Sequence, residues 1–100
     1  MALLLQILRL SLVHIAENVI INTRASIDHD CNIGPHVHIA PGVVMSGGVS
    51  VGEGSFIGVG AVVRQGIRIA PGVTVGAGSV VVKDLLEPGT YTGCPARPKR

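Results

Sequence analysis

The sequence predicts an all-β fold, a parallel β-helix of hexapeptide repeats, and three observations carry this prediction. First, an aliphatic side chain recurs every six residues from Ile15 to Val81. Second, a small or β-branched residue stands two positions before most of these, and a small or turn-forming residue usually follows. Third, aromatic residues make up only 2% of the chain, which contains 14 glycines. Each hexad is therefore predicted to form a very short strand with two inward side chains, followed by a corner.

This six-residue series is unbroken over twelve positions. Its members are Ile15, Ile21, Ile27, Ile33, Ile39, Met45, Val51, Ile57, Val63, Ile69, Val75 and Val81. Because 47% of the chain is hydrophobic, twelve apolar residues at one fixed phase would arise by chance only roughly once in 10⁴ sequences. The spacing matches neither a helix nor simple strand alternation, so it indicates stacked coils that bury aliphatic side chains.

Residues 1–14 precede the regular repeats. Arg9 stands where the series would require an aliphatic residue, so the register fails there. The stretch MALLLQILRLSLVH has too few continuous apolar residues for a membrane span, and it lacks the basic start and cleavage site of a signal peptide. We expect a short irregular or helical cap over the end of the β-helix, or the remnant of a lost domain, and no membrane association.

Residues 15–84 are predicted to form about four coils. If three hexads make one turn, residues eighteen apart stack at the strand spacing of about 4.8 Å. The outward positions then form three columns, of which one is polar and two are largely apolar. The polar column is His14, Asn32, Ser50 and Arg68; the others are Ser26, Val44, Val62 and Val80, and Ile20, His38, Phe56 and Thr74. Two exposed apolar columns favour an interface and a closed ring, so we predict a homotrimer.

Residues 85–100 are predicted to form a C-terminal turn and an extended tail. The series stops after Val82, and Pro88 and Gly89 indicate a turn before a short extended piece at 90–92. Arg97, Lys99 and Arg100 form a small basic cluster. This cluster is either a solvated terminus or a contact for a phosphate group.

The composition also excludes several classes of protein. A net charge of +2 is too small to indicate a nucleic-acid surface. Cys31 and Cys94 match no metal or disulfide spacing, and Cys31 lies at an inward position, which predicts core packing and a cytoplasmic protein. Glycine pairs such as Gly52 and Gly54 lack the strand and helix of a dinucleotide loop, and we assign them to corners that need a positive φ.

The strongest candidate for chemistry is His29, which lies at a corner between Asp28 and Asp30. A carboxylate beside an imidazole fixes its tautomer and favours its protonated form, which suits a general base. Eighteen residues further on, Gly47 and Gly48 stack on His29 and Asp30, and their backbone N–H groups would face a developing oxyanion. No two of the four histidines are separated by a multiple of eighteen, so the spacing predicts no metal site between coils.

The chain from about residue 15 to 97 resembles the left-handed β-helix acetyltransferases with hexapeptide repeats. The similarity is carried by INTRASIDHDCNIGPHVHIAPGVVMSGGVSVGEGSFIGVGAVV and VVVKDLLEPGTYTGCPAR. Within these enzymes the chain is most similar to sialic acid O-acetyltransferases and to N-acetyltransferases acting on nucleotide-linked 4-amino sugars. The resemblance implies acetyl-CoA as acetyl donor, a sugar acceptor, and a homotrimer with sites between subunits.

The resemblance also implies roles for individual residues. His29 would be the general base and Asp30 the acid that raises its basicity. His38 would contact acetyl-CoA near the thioester, and the Gly47 amide would face its carbonyl. The backbone of Val59 and Ala77 would hold the pantetheine arm.

Two departures from this family keep alternatives open. From the short stretch before the repeats we expect the N-terminal α/β domain that usually holds the nucleotide sugar to be missing, and Arg24 stands where the family has a small residue. The alternatives are a truncated, non-catalytic trimeric β-helix protein and a hexapeptide acyltransferase with another acceptor, such as serine.

Overall fold

A computed structural model describes residues 14–99 as a left-handed parallel β-helix, which confirms the predicted fold class. The predicted cap in residues 1–14 lies, except for His14, outside the described residues, as does Arg100. Within residues 14–99 no helix is long and apolar enough to cross a membrane.

Each hexad contributes one strand, usually of two residues. The strands are β1 (His14–Ile15), β2 (Ile20–Ile21), β3 (Ser26–Ile27), β4 (Asn32–Ile33), β5 (His38–Ile39), β6 (Val44–Met45), β7 (Ser50–Val51), β8 (Phe56–Ile57), β9 (Val62–Val63), β10 (Arg68–Ile69), β11 (Val73–Val75), β12 (Val80–Val81), β13 (Gly89–Thr92) and β14 (Arg97–Pro98). Such short strands gain their stability from the neighbouring coils rather than from their own length.

The strands form three sheets, which are the faces of a prism. Face A contains β1, β4, β7 and β10; face B contains β2, β5, β8, β11, β13 and β14; and face C contains β3, β6, β9 and β12. Residues eighteen apart are parallel partners, as Ile21 is with Ile39 and Met45 with Val63. The predicted stacking register and the three outward columns are therefore confirmed.

The core is the stack of two inward side chains from each hexad. From Val19 to Val81 both inward positions are buried in every coil, including Ser55 and Ser79. The Ser55 hydroxyl donates to the Ala70 carbonyl at 2.8 Å and accepts from the Val73 amide at 3.0 Å, so its burial leaves no polar group unpaired. Ile15 is the exception in the six-residue series, since it is 36% exposed in the first described coil, where β1 pairs only with β4.

Cys31 occupies an inward position, as predicted. It is fully buried, and its thiol donates to the Ser46 carbonyl at 3.3 Å. Burial raises the pKa of the Cys31 thiol, which keeps it protonated and unreactive at neutral pH. Cys94 is exposed, and neither cysteine forms a disulfide within the described chain.

Two different constraints place the glycines at the corners. The third residue after each strand from β1 to β11 has a positive φ, and this position holds glycine from Gly42 to Gly78 but Asn18, Arg24, Asp30 and His36 in the earlier corners. Gly52, Gly58 and Gly76 lie directly after a strand, and they do not have a positive φ. A Cβ on Gly52 would lie 2.7 Å from the Ala70 carbonyl carbon of the next coil. The prediction of positive φ was therefore wrong for these three glycines. Backbone of the next coil approaches Gly52 and Gly58, and the side chain of Thr92 approaches Gly76.

The C-terminal segment continues face B. Strand β13 pairs in parallel with β11, and β14 folds back antiparallel on β13. Tyr91 is buried, and its hydroxyl donates to the Glu87 carbonyl at 2.8 Å. The extended piece predicted at 90–92 is thus β13, and residues 89–98 add a fifth layer to face B.

The two glycine constraints predict a large loss of stability at one position and a small change at the other for the same substitution. Gly52→Asn would drive a Cβ into the next coil, and we expect it to lower the free energy of unfolding by about 3 kcal/mol or more. Gly54→Asn places a residue that tolerates positive φ in open space, as at Asn18, and we expect a change below about 1 kcal/mol. Chemical denaturation followed by circular dichroism measures both, and equal losses would contradict the assignment.

Candidate functional site

His29 lies at the corner that joins face C to face A, between β3 and β4. The Asp28 carboxylate accepts a hydrogen bond from the His29 backbone amide at 2.7 Å, and Asp30 takes a positive φ of 61°. This local turn projects the imidazole outward, where 62% of the side chain is exposed. The corner therefore presents a base on the surface with an acid on either side.

The two ring nitrogens of His29 have different surroundings. Nδ1 lies 3.2 Å from Asp30 Oδ2, whereas Nε2 lies 4.0 Å from Asp28 Oδ1. A carboxylate only accepts hydrogen bonds, so Asp30 holds the proton on Nδ1 and leaves the Nε2 lone pair available. Asp30 therefore orients the His29 ring and leaves Nε2 as its basic atom.

Gly47 lies directly below the His29 ring. A Cβ at Gly47 would lie 3.0 Å from His29 Cε1 and 3.3 Å from Nε2, so glycine allows the imidazole to rest on the backbone of the next coil. The Gly48 amide donates to the His29 carbonyl at 3.0 Å, while the Gly47 amide donates to no residue that the structure describes. Of the two amides predicted to face an oxyanion, only that of Gly47 is available, beside a cavity of about 510 Å³.

His38 lies on face B, in β5, and is half-buried. Its Nε2 is 3.0 Å from the amide nitrogen of Asn22, and its ring meets Phe56 edge-on with centroids 4.9 Å apart. Since the Asn22 amide nitrogen only donates, Nε2 accepts and the neutral His38 ring carries its proton on Nδ1. Asn22 was not predicted from the sequence, because it lies sixteen rather than eighteen residues before His38, on a diagonal between coils.

Val59 and Ala77 lie at the corner between faces B and C. They are exposed and stacked one coil apart, and the Gly78 amide donates to the Val59 carbonyl at 2.8 Å.

The predicted site residues thus form two groups. His29, Asp30 and Gly47 share the corner between faces C and A, whereas His38, Val59 and Ala77 lie on and beside face B, on the other side of face C. A single chain does not bring the two groups together. No cluster of three or more candidate metal ligands was found between residues 14 and 99.

Comparison with known proteins identifies related folds. Residues 12–47 match the family model for bacterial transferase hexapeptide repeats. The acetyltransferase domain of PglB from Neisseria gonorrhoeae, also solved in complex with acetyl coenzyme A, is 44% identical over 87% of this chain and 44% of that chain, with a TM-score of 0.81. A search of curated proteins found no match.

Two further solved structures are similar. A histidine-to-alanine mutant of GDP-perosamine N-acetyl transferase from Caulobacter crescentus, in complex with CoA and GDP-perosamine, is 45% identical over 88% of this chain and 42% of that chain, with a TM-score of 0.86. Soybean serine acetyltransferase is 31% identical over 87% of this chain and 40% of that chain, with a TM-score of 0.81. The chain spans less than half the length of these proteins.

The contact between Asn22 and His38 predicts a change of tautomer. In Asn22→Asp the new carboxylate can only accept, so we expect the proton of neutral His38 to move from Nδ1 to Nε2. Nitrogen-15 NMR of the imidazole measures this, with Asn32→Asp on face A as the control that should leave His38 unchanged. A parent protein that already carries its His38 proton on Nε2 would contradict the hydrogen bond as assigned.

Proposed function

Because this chain belongs to the bacterial transferases with hexapeptide repeats, we propose that it transfers an acetyl group from acetyl-CoA to an amine or hydroxyl group of a sugar. The observation that carries this proposal is the position of the His29 imidazole over the Gly47 backbone. A base and a free amide lie side by side there, which acyl transfer to a nucleophile requires.

In the proposed reaction His29 acts through Nε2. It removes a proton from the acceptor nitrogen or oxygen as that atom bonds to the acetyl carbonyl carbon. The Gly47 amide donates to the carbonyl oxygen while negative charge develops there. When the carbon–sulfur bond breaks, His29 returns the proton to the departing thiolate, and Asp30 keeps the ring oriented throughout.

The second half of the proposed site comes from another copy of the chain. His29 and His38 are separated by half of an eighteen-residue coil, so they differ in height along the prism axis by only about 2.4 Å. A neighbour related by an axis parallel to the prism keeps this height, and its face B can lie opposite the His29 corner. His38, Asn22 and the backbone of Val59 and Ala77 would then hold acetyl-CoA against the His29 of the adjacent subunit.

Apolar side chains support this arrangement as a homotrimer. Ile20 and Phe56 on face B are 48% and 36% exposed, and Val44 and Val62 on face C are 42% and 38% exposed. Face A presents Asn32, Ser50 and Arg68 instead. Exposed aliphatic groups on two adjoining faces suit a ring in which face B of one subunit meets face C of the next.

The names of the similar structures bear on the acceptor. The similarity to GDP-perosamine N-acetyl transferase supports the amine of a nucleotide-linked sugar as the acceptor of this chain. Serine acetyltransferase, at 31% identity, supports a second candidate, transfer to the hydroxyl of serine. The acceptor is therefore best sought by offering amino sugars, nucleotide-linked amino sugars and serine in parallel.

Replacing the base tests the proposal directly. For His29→Ala we expect kcat to fall by roughly 10² to 10⁴, with acetyl-CoA binding retained because His29 contacts the acceptor. Thiol release from acetyl-CoA measures the rate, and His14→Ala removes an exposed histidine on face A as a matched control. Activity of His29→Ala within threefold of the parent would exclude the role.

Substitutions on faces C and A of the prism test the proposed trimer. We expect the parent to have three times the mass of the chain by light scattering at micromolar concentration. Val62→Arg places a charge on face C and should give monomers without activity, since the site needs two copies. Asn32→Arg on face A should remain trimeric, and a monomeric parent would refute the arrangement.

A further inference from the structure

The peptide group that joins Ser46 to Gly47 lies one coil below His29, at the corner between faces C and A. The peptide groups on either side of it are held by bonds between coils. The Ser46 amide donates to the Val63 carbonyl at 3.1 Å, and the Gly47 carbonyl accepts from the Gly66 amide at 2.9 Å. Within residues 14–99, however, no backbone amide donates to the Ser46 carbonyl, and the Gly47 amide finds no acceptor. Backbone hydrogen bonds therefore leave the orientation of this peptide group unfixed.

The side chain of Cys31 supplies the contact that the backbone does not. The thiol is fully buried and donates to the Ser46 carbonyl at 3.3 Å. Burial raises the pKa of this thiol, so at neutral pH it keeps the proton that it donates. A core side chain of one coil thus holds the carbonyl of a corner in the next coil.

Ser55 makes the same contact elsewhere in the coil stack. Like Cys31, it occupies an inward position two residues before a member of the six-residue series, and its hydroxyl donates to the Ala70 carbonyl at 2.8 Å. In both cases the acceptor is the first residue after a strand, fifteen residues further along the chain. The residue after Ala70 is a proline without an N–H group, whereas the amide after Ser46 is free. Of these two bonds, only that of Cys31 orients a free amide.

Several other corners hold the equivalent carbonyl through the backbone. The carbonyls of Gly52 and Gly58 accept from the amides three residues further on, those of Ser55 and Ala61, at 3.3 and 3.1 Å. This is the usual hydrogen bond of a β-turn. Among the described residues, the corner that starts at Ser46 lacks this bond. The thiol of the preceding coil takes its place there.

Peptide geometry converts the thiol contact into a direction for the Gly47 amide. A trans peptide is planar, and its carbonyl and N–H groups point in opposite directions. Because the Ser46 carbonyl points to the buried sulfur of Cys31, the Gly47 N–H points away from the core, at the corner that carries the cavity beside His29. Gly47 and Gly48 have no side chains to restrict the backbone, so removal of the thiol would allow this peptide group to turn.

We infer that Cys31 is a positioning residue for acetyl transfer, whose thiol holds the Ser46 carbonyl so that the Gly47 amide faces the acetyl carbonyl oxygen. This inference rests on the proposed function. Cys31 is buried and does not contact the substrates, and it acts through the peptide group whose N–H stabilises the developing negative charge. Its contribution is therefore made in the transition state and should affect kcat rather than acetyl-CoA binding.

Two substitutions of Cys31 separate the hydrogen bond from core packing. Cys31→Val introduces the side chain of its stacking partner Val49, which donates no hydrogen bond, and we expect kcat to fall at least roughly tenfold with KM for acetyl-CoA unchanged. Cys31→Ser restores a donor, as Ser55 demonstrates at the equivalent position, and should recover most of the parent rate. Val73→Ala truncates a buried side chain of face B, and as the control it should lower stability but retain kcat.

Thiol release from acetyl-CoA measures these rates, and the pH dependence of kcat provides a second readout. Because Cys31→Val leaves the contact between His29 and Asp30 intact, the midpoint of the pH profile should not move. A role of Cys31 exerted through the base would shift this midpoint. Circular dichroism of each variant checks that the coils remain folded at the assay temperature.

The outcomes distinguish this inference from the proposed function. If kcat of Cys31→Val stays within about twofold of the parent, or if Cys31→Ser loses as much as Cys31→Val, the positioning role is refuted while acetyl transfer stands. A raised KM at unchanged kcat, or a shifted pH midpoint, also refutes it. If the parent releases no thiol with any acceptor offered, the proposed function and the positioning role fail together.

Discussion

The structure depends on one constraint, the parallel hydrogen-bonded register of eighteen residues. Each coil must close in three hexads so that its amides meet the carbonyls of the next coil, as the Ile20 amide meets that of Val37 at 2.9 Å and the Ser26 amide that of Val43 at 2.7 Å. A single-residue slip within a strand would turn inward side chains outward. The regularity of the sequence follows from this demand, since neighbouring hexads have little freedom to differ.

The same register builds the site. It places the Gly47 backbone one strand spacing from His29, with no side chain between them, and it fixes His38 and Phe56 in adjacent strands of face B. The corners carry the candidate groups His29, Asp30 and Gly47 because corner residues are the least constrained by the core. Asp30 adopts a positive φ where most later corners have glycine, so the acid beside His29 occupies a position that glycine would fill more easily.

Much of this could be predicted because the period is long and the stacking is regular. The inward positions, the three faces and the proximity of Gly47 to His29 all follow from counting by eighteen. Asn22 could not be found this way, since its side chain reaches diagonally to His38 and a hydrogen bond depends on rotamers rather than on register. Gly52 and Gly58 were assigned to the wrong cause because the sequence does not distinguish a positive φ from a close backbone approach. The extended piece predicted at 90–92 is β13, but its pairing with β11 and the antiparallel strand β14 were not predicted, because they depend on β11 and not on a repeat.

The antiparallel strand β14 has a consequence for growth of the coil stack. A parallel β-helix ends in strands whose unpaired amides and carbonyls could template another molecule. In face B the last strand runs in the opposite direction and contains Pro98, which has no amide hydrogen to offer. Another chain that approaches the β14 edge therefore meets a strand of reversed direction, so face B does not present there the parallel edge that the stacking of further coils requires.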